Sequence, residues 1–192
     1  MKKEHLEWLE INQACSQSIS WIKRDNIQSL EEAWYTCGRG DWMLWMAKKL
    51  GIDRHKLVLC ASLCAHTAVQ YMQDPRSRNA VHVAFLWSRG KATYEQLMTA
   101  RNDACDAEDA DEDVIACGDY YSARAAAAAA SAASWASCVT DETAACDTAA
   151  SAASAAASWA LSDDARKANQ MRTASIVMEL LTEEVMYILS NL

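Results

Sequence analysis

The sequence has few of the residues that build turns, with five glycines and one proline among 192 residues. β-sandwiches and β-barrels need many turns, and no segment shows the sustained alternation of β-branched residues that half-buried strands require. The scarcity of turn residues therefore argues against an all-β fold. We predict an all-α protein, built as a multi-helix bundle or a repeat-like array of helices.

Targeting and membrane-spanning segments are also missing from the sequence. The N-terminal residues MKKEHLEWLE lack the apolar core of a signal peptide, and no run of eighteen apolar residues is present. The formal net charge of −8 leaves no basic excess for binding nucleic acid or an anionic membrane. We expect a soluble, cytoplasmic protein that binds neither nucleic acid nor membrane.

Catalytic and metal-binding motifs are missing too, including GxSxG, HExxH, CxxC and a phosphate-binding glycine loop. The eight cysteines are spread along the chain, which is typical of small buried side chains in a reducing compartment. Cys60 and Cys64 share a helical face, but His66 points about 200° away from Cys64 and is interpreted as a core histidine. We therefore expect no catalytic residue, no metal and no cofactor.

Alanine and serine dominate residues 120–161, which contain no glycine or proline. Alanine is the best helix former, so two helices are expected, separated near Thr140. Small side chains let two helices approach to roughly 8 Å. We predict a close-packed Ala/Ser-rich antiparallel hairpin over 119–161, with Tyr121 level with Trp159. It serves either as a structural spine or as a serine-lined face for a partner.

Local signals predict where helices start and stop. Ser29 with Glu32, and Thr93 with Gln96, form capping boxes. Further boundaries are predicted at the N-terminal caps Asp41 and Asp53 and at the C-terminal Gly51 and Gly90. The helix from Arg54 is predicted to run to Met72 and to end at Asp74-Pro75, and the next helix is predicted to begin at Ser77. Trp21 and Ile22 are predicted to lie in a less regular connection. The prediction is one all-helical domain over 1–192, comprising N-terminal helices (1–32), a Trp/Arg-rich core (33–118), the hairpin (119–161) and a C-terminal helix (162–192).

An acidic segment occupies residues 103–113, where seven of eleven side chains are acidic. Such a run forms either a solvated kink, loop or helix face, or a surface that mimics a nucleic-acid backbone or meets a basic partner. In the second case it would steer the partner toward the protein, an effect that salt weakens. The predicted partner-binding residues are Asp103, Asp106, Glu108, Asp109, Asp111, Glu112 and Asp113.

Arginine and histidine residues cluster around the Trp-rich helix that contains Trp42. Arginine beside tryptophan is a common way to hold a carboxylate, a phosphate or a stacked base. The alternative is that these cations pair with aspartates at helix starts. The predicted anion pocket consists of Arg39, Asp41, Trp42, Arg54, Arg78 and His82.

The run GRGDWMLWMA at 38–47, with LCASLCA at 59–65 and residues 80–90, resembles a family of immunity proteins. Members occur in bacteria, in association with polymorphic toxin systems, and in phages. The likeness covers roughly residues 33–160 and rests mainly on Gly-Asp-Trp-x-Leu-Trp. Where the family has Arg-Pro, this chain has Arg78-Asn79, so any role of that proline is not carried over.

The resemblance implies an all-α protein that binds and neutralises another protein without catalysis. The target would be a toxin or, for a phage protein, a host defence effector such as a CRISPR nuclease. Our first hypothesis is therefore a non-enzymatic inhibitor that uses the acidic segment and the exposed face of the hairpin. The alternative is a sponge that sequesters an anionic nucleotide signal. A hydrolase using a Cys and a His is a third hypothesis, against which the missing motifs argue.

Overall fold

The computed structural model describes residues 1–72, 74–114 and 163–192, and within them it contains helices and no strands. The predicted all-α class is confirmed. The predicted hairpin, with Tyr121 and Trp159, lies outside the described residues. The helices are α1 (Lys3–Ile11), α2 (Ser16–Arg24), α3 (Leu30–Thr36), α4 (Gly40–Lys49), α5 (Arg54–His66), α6 (Pro75–Ser88), α7 (Tyr94–Val114) and α8 (Asp163–Leu189), with a 3-10 turn at Val69–Tyr71.

Side-chain caps start several of these helices where the sequence predicts them. The Ser29 hydroxyl accepts the Glu32 N–H at 3.1 Å. Thr93 and Gln96 cap each other, because the Thr93 hydroxyl accepts the Gln96 N–H and the Gln96 side chain accepts the Thr93 N–H. At α5, the Asp53 carboxylate accepts two backbone N–H groups. These caps satisfy donors that have no partner within the helix.

Two glycines end helices in the left-handed conformation, as the sequence predicts. Gly51 has φ +82° after α4, and Gly90 has φ +68° after α6. In each case the next residue donates its N–H back into the last turn, from Ile52 to Ala47 O and from Lys91 to Leu86 O. These bonds form the usual C-terminal glycine motif.

Three boundaries differ from the sequence prediction. Helix α2 forms where an irregular connection was expected, and the Cys15 sulfur accepts a backbone N–H at its start. Helix α5 ends at His66 instead of continuing to Met72. Helix α6 starts at Pro75 instead of Ser77, because proline suits the first helical turn and Asp74 caps it.

One hydrophobic core draws residues from all eight described helices. Helix α8 contacts α3, α4 and α5, while α6 packs against α5 and α7. Trp34, which is fully buried, donates its indole N–H to the Thr182 hydroxyl at 2.9 Å and so joins α3 to α8. In the described part of the chain, every helix is too short or too polar to cross a bilayer. The core thus fixes α3, α4 and α5 against one long helix, α8.

Candidate functional site

The start of α4 carries a partly buried ion pair between Arg39 and Asp41. Asp41 is 6% exposed, and its carboxylate accepts hydrogen bonds from Arg39 Nε at 3.0 Å and from Arg39 Nη2. The predicted role of Asp41 as the helix cap is therefore wrong, since α4 already begins at Gly40 with Arg39 in the cap position. The guanidinium offers the carboxylate two parallel charged donors, which bind more strongly than a single backbone N–H.

Arg39 also lies over an aromatic ring. Its guanidinium carbon is 4.3 Å from the centre of the Trp42 ring, and the Trp42 ring is 5.7 Å from that of Trp21, tilted by 46°. Burial would lower the pKa of Arg39, but the hydrogen bond and charge of Asp41 raise that pKa above its ordinary value. Arg39 is thus a permanent, fixed cation beside two half-buried indoles.

A cavity of about 520 Å³ lies beside this cluster, between α1, α2, α3 and α4. Arg39, Asp41 and Trp42 line it, so the structure brings three residues of the predicted anion pocket together. Small-ligand sites commonly have volumes of about 300–1,000 Å³ and mostly apolar walls. The apolar lining includes Leu9, Ile22, Leu30, Trp34, Met43 and Met46, all buried.

Two thiols line this cavity, those of the buried Cys37 and the exposed Cys15. The Cys37 thiol donates to the Arg39 carbonyl at 3.4 Å, and burial raises its pKa to about 12. Because a thiolate is the nucleophilic form of cysteine, the Cys37 thiol is inert at neutral pH. Cys37 therefore supplies no nucleophile to the cavity at neutral pH.

A shallower cavity of about 470 Å³ adjoins the first. The two cavities share Gln17, Trp21, Arg39 and Trp42 as lining residues, and the second adds Arg24. Sequence reasoning missed Gln17, Trp21 and Arg24 because it did not recognise α2 as a helix. The available signals in this polar stretch were Ile19 and Ile22, which are three positions apart as on one helical face, and Trp21 beside Ile22.

The other three residues of the predicted anion pocket lie elsewhere. Arg54 lies over the Trp87 ring at 5.5 Å, next to the stacked His55. Arg78 and His82 line a separate cavity of about 280 Å³ between α5 and α6. The six residues therefore do not form one pocket.

His66 also lines the cavity between α5 and α6, and it is exposed. The interpretation of His66 as a core histidine is wrong, because the helix ends there and the imidazole lies at the surface. Cys60 and Cys64, on the other hand, are buried. Within the described residues, no three His, Cys, Asp or Glu side chains come together as a metal site would require.

The acidic segment belongs to α7. This helix buries Leu97, Ala100 and Ala104, while Asp103 is half-buried and Asp106 is exposed. The charges of Asp106 and Asp103 help to raise the pKa of Arg76 above its ordinary value, although the hydrogen bond to Asp74 is the main cause. Arg76 thus lies near the start of the segment.

The backbone of α7 stays helical to Val114, so the acidic segment does not form a loop up to that residue. The seven acidic residues of the segment 103–113 are therefore spread over little more than three helical turns. The side chains of five of them lie outside those described, namely Glu108, Asp109, Asp111, Glu112 and Asp113.

Comparison with protein-family models, with curated proteins and with solved structures found no match for this chain. The resemblance to immunity proteins remains a prediction from its motif residues.

Proposed function

We propose that this chain is a non-enzymatic inhibitor that binds a partner protein and blocks its working surface. The observation that carries the proposal is that the acidic segment lies on a helix, α7, instead of in a loop. A helix presents its charges in a fixed arrangement, so an acidic helix can match the charges of a partner. The resemblance to immunity proteins points in the same direction.

The arrangement of charges on α7 works against the stability of the helix itself. Acidic residues three or four positions apart, such as Asp106 with Asp109 and Asp109 with Asp113, occur repeatedly in the segment. Like charges at this spacing cost about 0.2–0.5 kcal/mol per pair. A basic surface on a partner would offset this repulsion on binding. Binding of a partner therefore explains the acidic segment, whereas the stability of the helix does not.

Proteins that act on nucleic acids carry basic surfaces, because they must contact phosphates. An acidic helix competes with nucleic acid for such a surface. The partner we propose is therefore a toxin or a defence effector that acts on nucleic acid, such as a CRISPR nuclease if the chain is encoded by a phage. The inhibitor would act by occupancy alone.

The test is capture of partners from a host lysate on the immobilised protein. The key variant combines Asp106→Lys, Asp109→Lys and Asp113→Lys. Its matched control combines Asp164→Lys, Glu179→Lys and Glu183→Lys, which changes the charge equally at exposed positions of α8. We expect a basic partner that the wild type and the control retain and that the α7 variant loses.

The captured protein is then assayed for its own activity with and without the inhibitor. The proposal requires that wild-type protein suppresses this activity and that the α7 variant does not. Equal retention by all three proteins, or retention without suppression, would show that the acidic segment does not block a partner.

A further inference from the structure

The paired cavities between α1, α2, α3 and α4 have a built lining whose chemistry defines a ligand class. We propose that they bind a small planar aromatic ligand that carries a carboxylate or a phosphate. This site is separate from the acidic helix, and its ligand is a small molecule instead of a protein. The proposal therefore goes beyond inhibition of a partner.

The indole rings of Trp21 and Trp42 provide the first part of the site. Both residues line both cavities, so they stand in the wall that the cavities share. Both are half-buried, which leaves part of each ring open to a ligand. Aromatic rings prefer to pack against other rings in offset or edge-to-face geometry, and each such contact is worth about 0.5–1.5 kcal/mol beyond its buried area.

The cations provide the second part. Three cationic side chains line the two cavities, Arg24, Arg39 and Lys49. Arg24 is paired with Asp25 and Arg39 with Asp41, so three cations face two carboxylates. This local excess of one positive charge occurs in a chain of net charge −8, so an anion binds more favourably here than at most of the surface. The lining thus combines an aromatic surface with a site for a negative group.

Arg39 can hold that negative group. Asp41 engages its Nε and Nη2 atoms, and Trp42 supports the guanidinium from one side. The Nη1 group makes no hydrogen bond to the described part of the chain, so its two donors remain for a ligand. The side chain is already ordered, which reduces the entropy cost of binding.

The two compartments match the two ends of such a ligand. The larger cavity has the apolar lining that suits a ring, whereas the shallower one contains Ser16, Ser20 and Arg24 beside Arg39. A nucleotide and an aromatic acid each combine a planar ring with a negatively charged group. Sequestering an anionic nucleotide would use this site, and Arg54, Arg78 and His82 would have no part in it.

The test measures thermal unfolding and tryptophan fluorescence of the full chain with four probes. AMP and indole-3-acetate combine a ring with a phosphate or a carboxylate, so they distinguish the two anions. Adenosine has a ring without a charge, and inorganic phosphate has a charge without a ring. We expect at least one ring-bearing anion to raise Tm by about 5–10 °C at a hundredfold excess over Kd. Adenosine should bind about tenfold more weakly, and phosphate should give no shift.

Variants locate the binding. Gln17→Trp adds bulk to the wall shared by the cavities, and Arg24→Gln removes an exposed cation that pairs with Asp25, so neither change lies in the core. Arg39→Gln tests the anion contact, although it also leaves Asp41 without its partner. Arg78→Gln is the matched control, since it removes one exposed arginine from a different cavity.

Loss of the Tm shift in Gln17→Trp and a weaker Kd in Arg24→Gln, with Arg78→Gln unchanged, would support the site. No shift with either AMP or indole-3-acetate would overturn the proposal. Equal binding of AMP and adenosine would overturn the role of the cations, and an unchanged shift in Gln17→Trp would place binding elsewhere. None of these outcomes depends on whether the acidic helix binds a protein.

Discussion

Gly40 lies against Thr173 so closely that a Cβ atom added to Gly40 would be 2.7 Å from the Thr173 carbonyl carbon. This contact joins the first residue of α4 to α8. Because the obstruction includes backbone, a flexible side chain cannot relieve it by moving away. The glycine in the Gly-Asp-Trp motif is therefore explained by the packing of two helices.

Gly40→Ala is predicted to destabilise the protein. Overpacking typically costs about 1–3 kcal/mol, which outweighs the ~1 kcal/mol that alanine gains over glycine inside a helix. Urea unfolding of the variant measures the change in free energy of unfolding. Gly38→Ala is the control, since its added Cβ would lie 4.0 Å from Met171 Cγ. Equal effects at both positions would mean that α4 and α8 do not approach as described.

The hydrogen bond from Trp34 to Thr182 gives a second prediction. Thr182→Val keeps the side-chain shape but leaves the buried indole N–H without its acceptor. An unsatisfied buried donor costs about 1–3 kcal/mol. Thr99→Val, at an exposed position of α7, should change the free energy of unfolding by less than about 0.5 kcal/mol. A negligible loss in Thr182→Val would mean that Trp34 has another partner.

Cys37 predicts a pH dependence of stability. Its thiol loses its proton near pH 9.0 in the unfolded chain but only at about 12 in the folded one, because burial raises the pKa. Between these values the unfolded state binds fewer protons, so the stability that Cys37 contributes is complete below pH 9.0 and falls as pH rises toward 12. The fall can reach about 1.4 kcal/mol per pH unit.

The measurement compares wild type with Cys37→Ala by urea unfolding across this pH range. Tyrosine and lysine titrate in both proteins, so the difference between them isolates Cys37. We expect the stability advantage of the wild type to shrink as pH rises. A constant difference would show that the thiol is not shielded from solvent.

The acidic segment predicts an unusual gain of stability. Asp109→Asn with Asp113→Asn removes like-charge repulsion within α7, so the free energy of unfolding should stay the same or rise by a few tenths of a kcal/mol. Glu179→Gln with Glu183→Gln on α8 also removes like charges four positions apart, so it should give a gain of similar size. A loss above about 1 kcal/mol in the α7 variant would assign these aspartates a role in the fold instead of in binding.

Sequence reasoning located the helix boundaries that depend on local chemistry. Capping by Ser29, Asp53 and Thr93 involves atoms within three residues, and Gly51 and Gly90 act through their own backbone conformation. Such signals can be read without knowledge of the fold.

Features that depend on packing could not be read in this way. Helix α2 contains three serines, which are modest helix formers, and it owes its place to the burial of Ile22. Asp41 has the sequence position of a cap, but Arg39 competes for its carboxylate. The separation of Arg54 from Trp42 depends on how α4 and α5 pack, which residue spacing within one helix does not determine.

The most direct test of the proposed inhibitor is its rate of association with the captured partner, measured by stopped flow from about 0.01 M to about 1 M salt. If α7 steers a basic partner, the variant carrying Asp106→Lys, Asp109→Lys and Asp113→Lys will associate at least tenfold more slowly than wild type at low salt, and the rates will converge at high salt. Rates that are equal at low salt would contradict a role for the acidic helix in recognition.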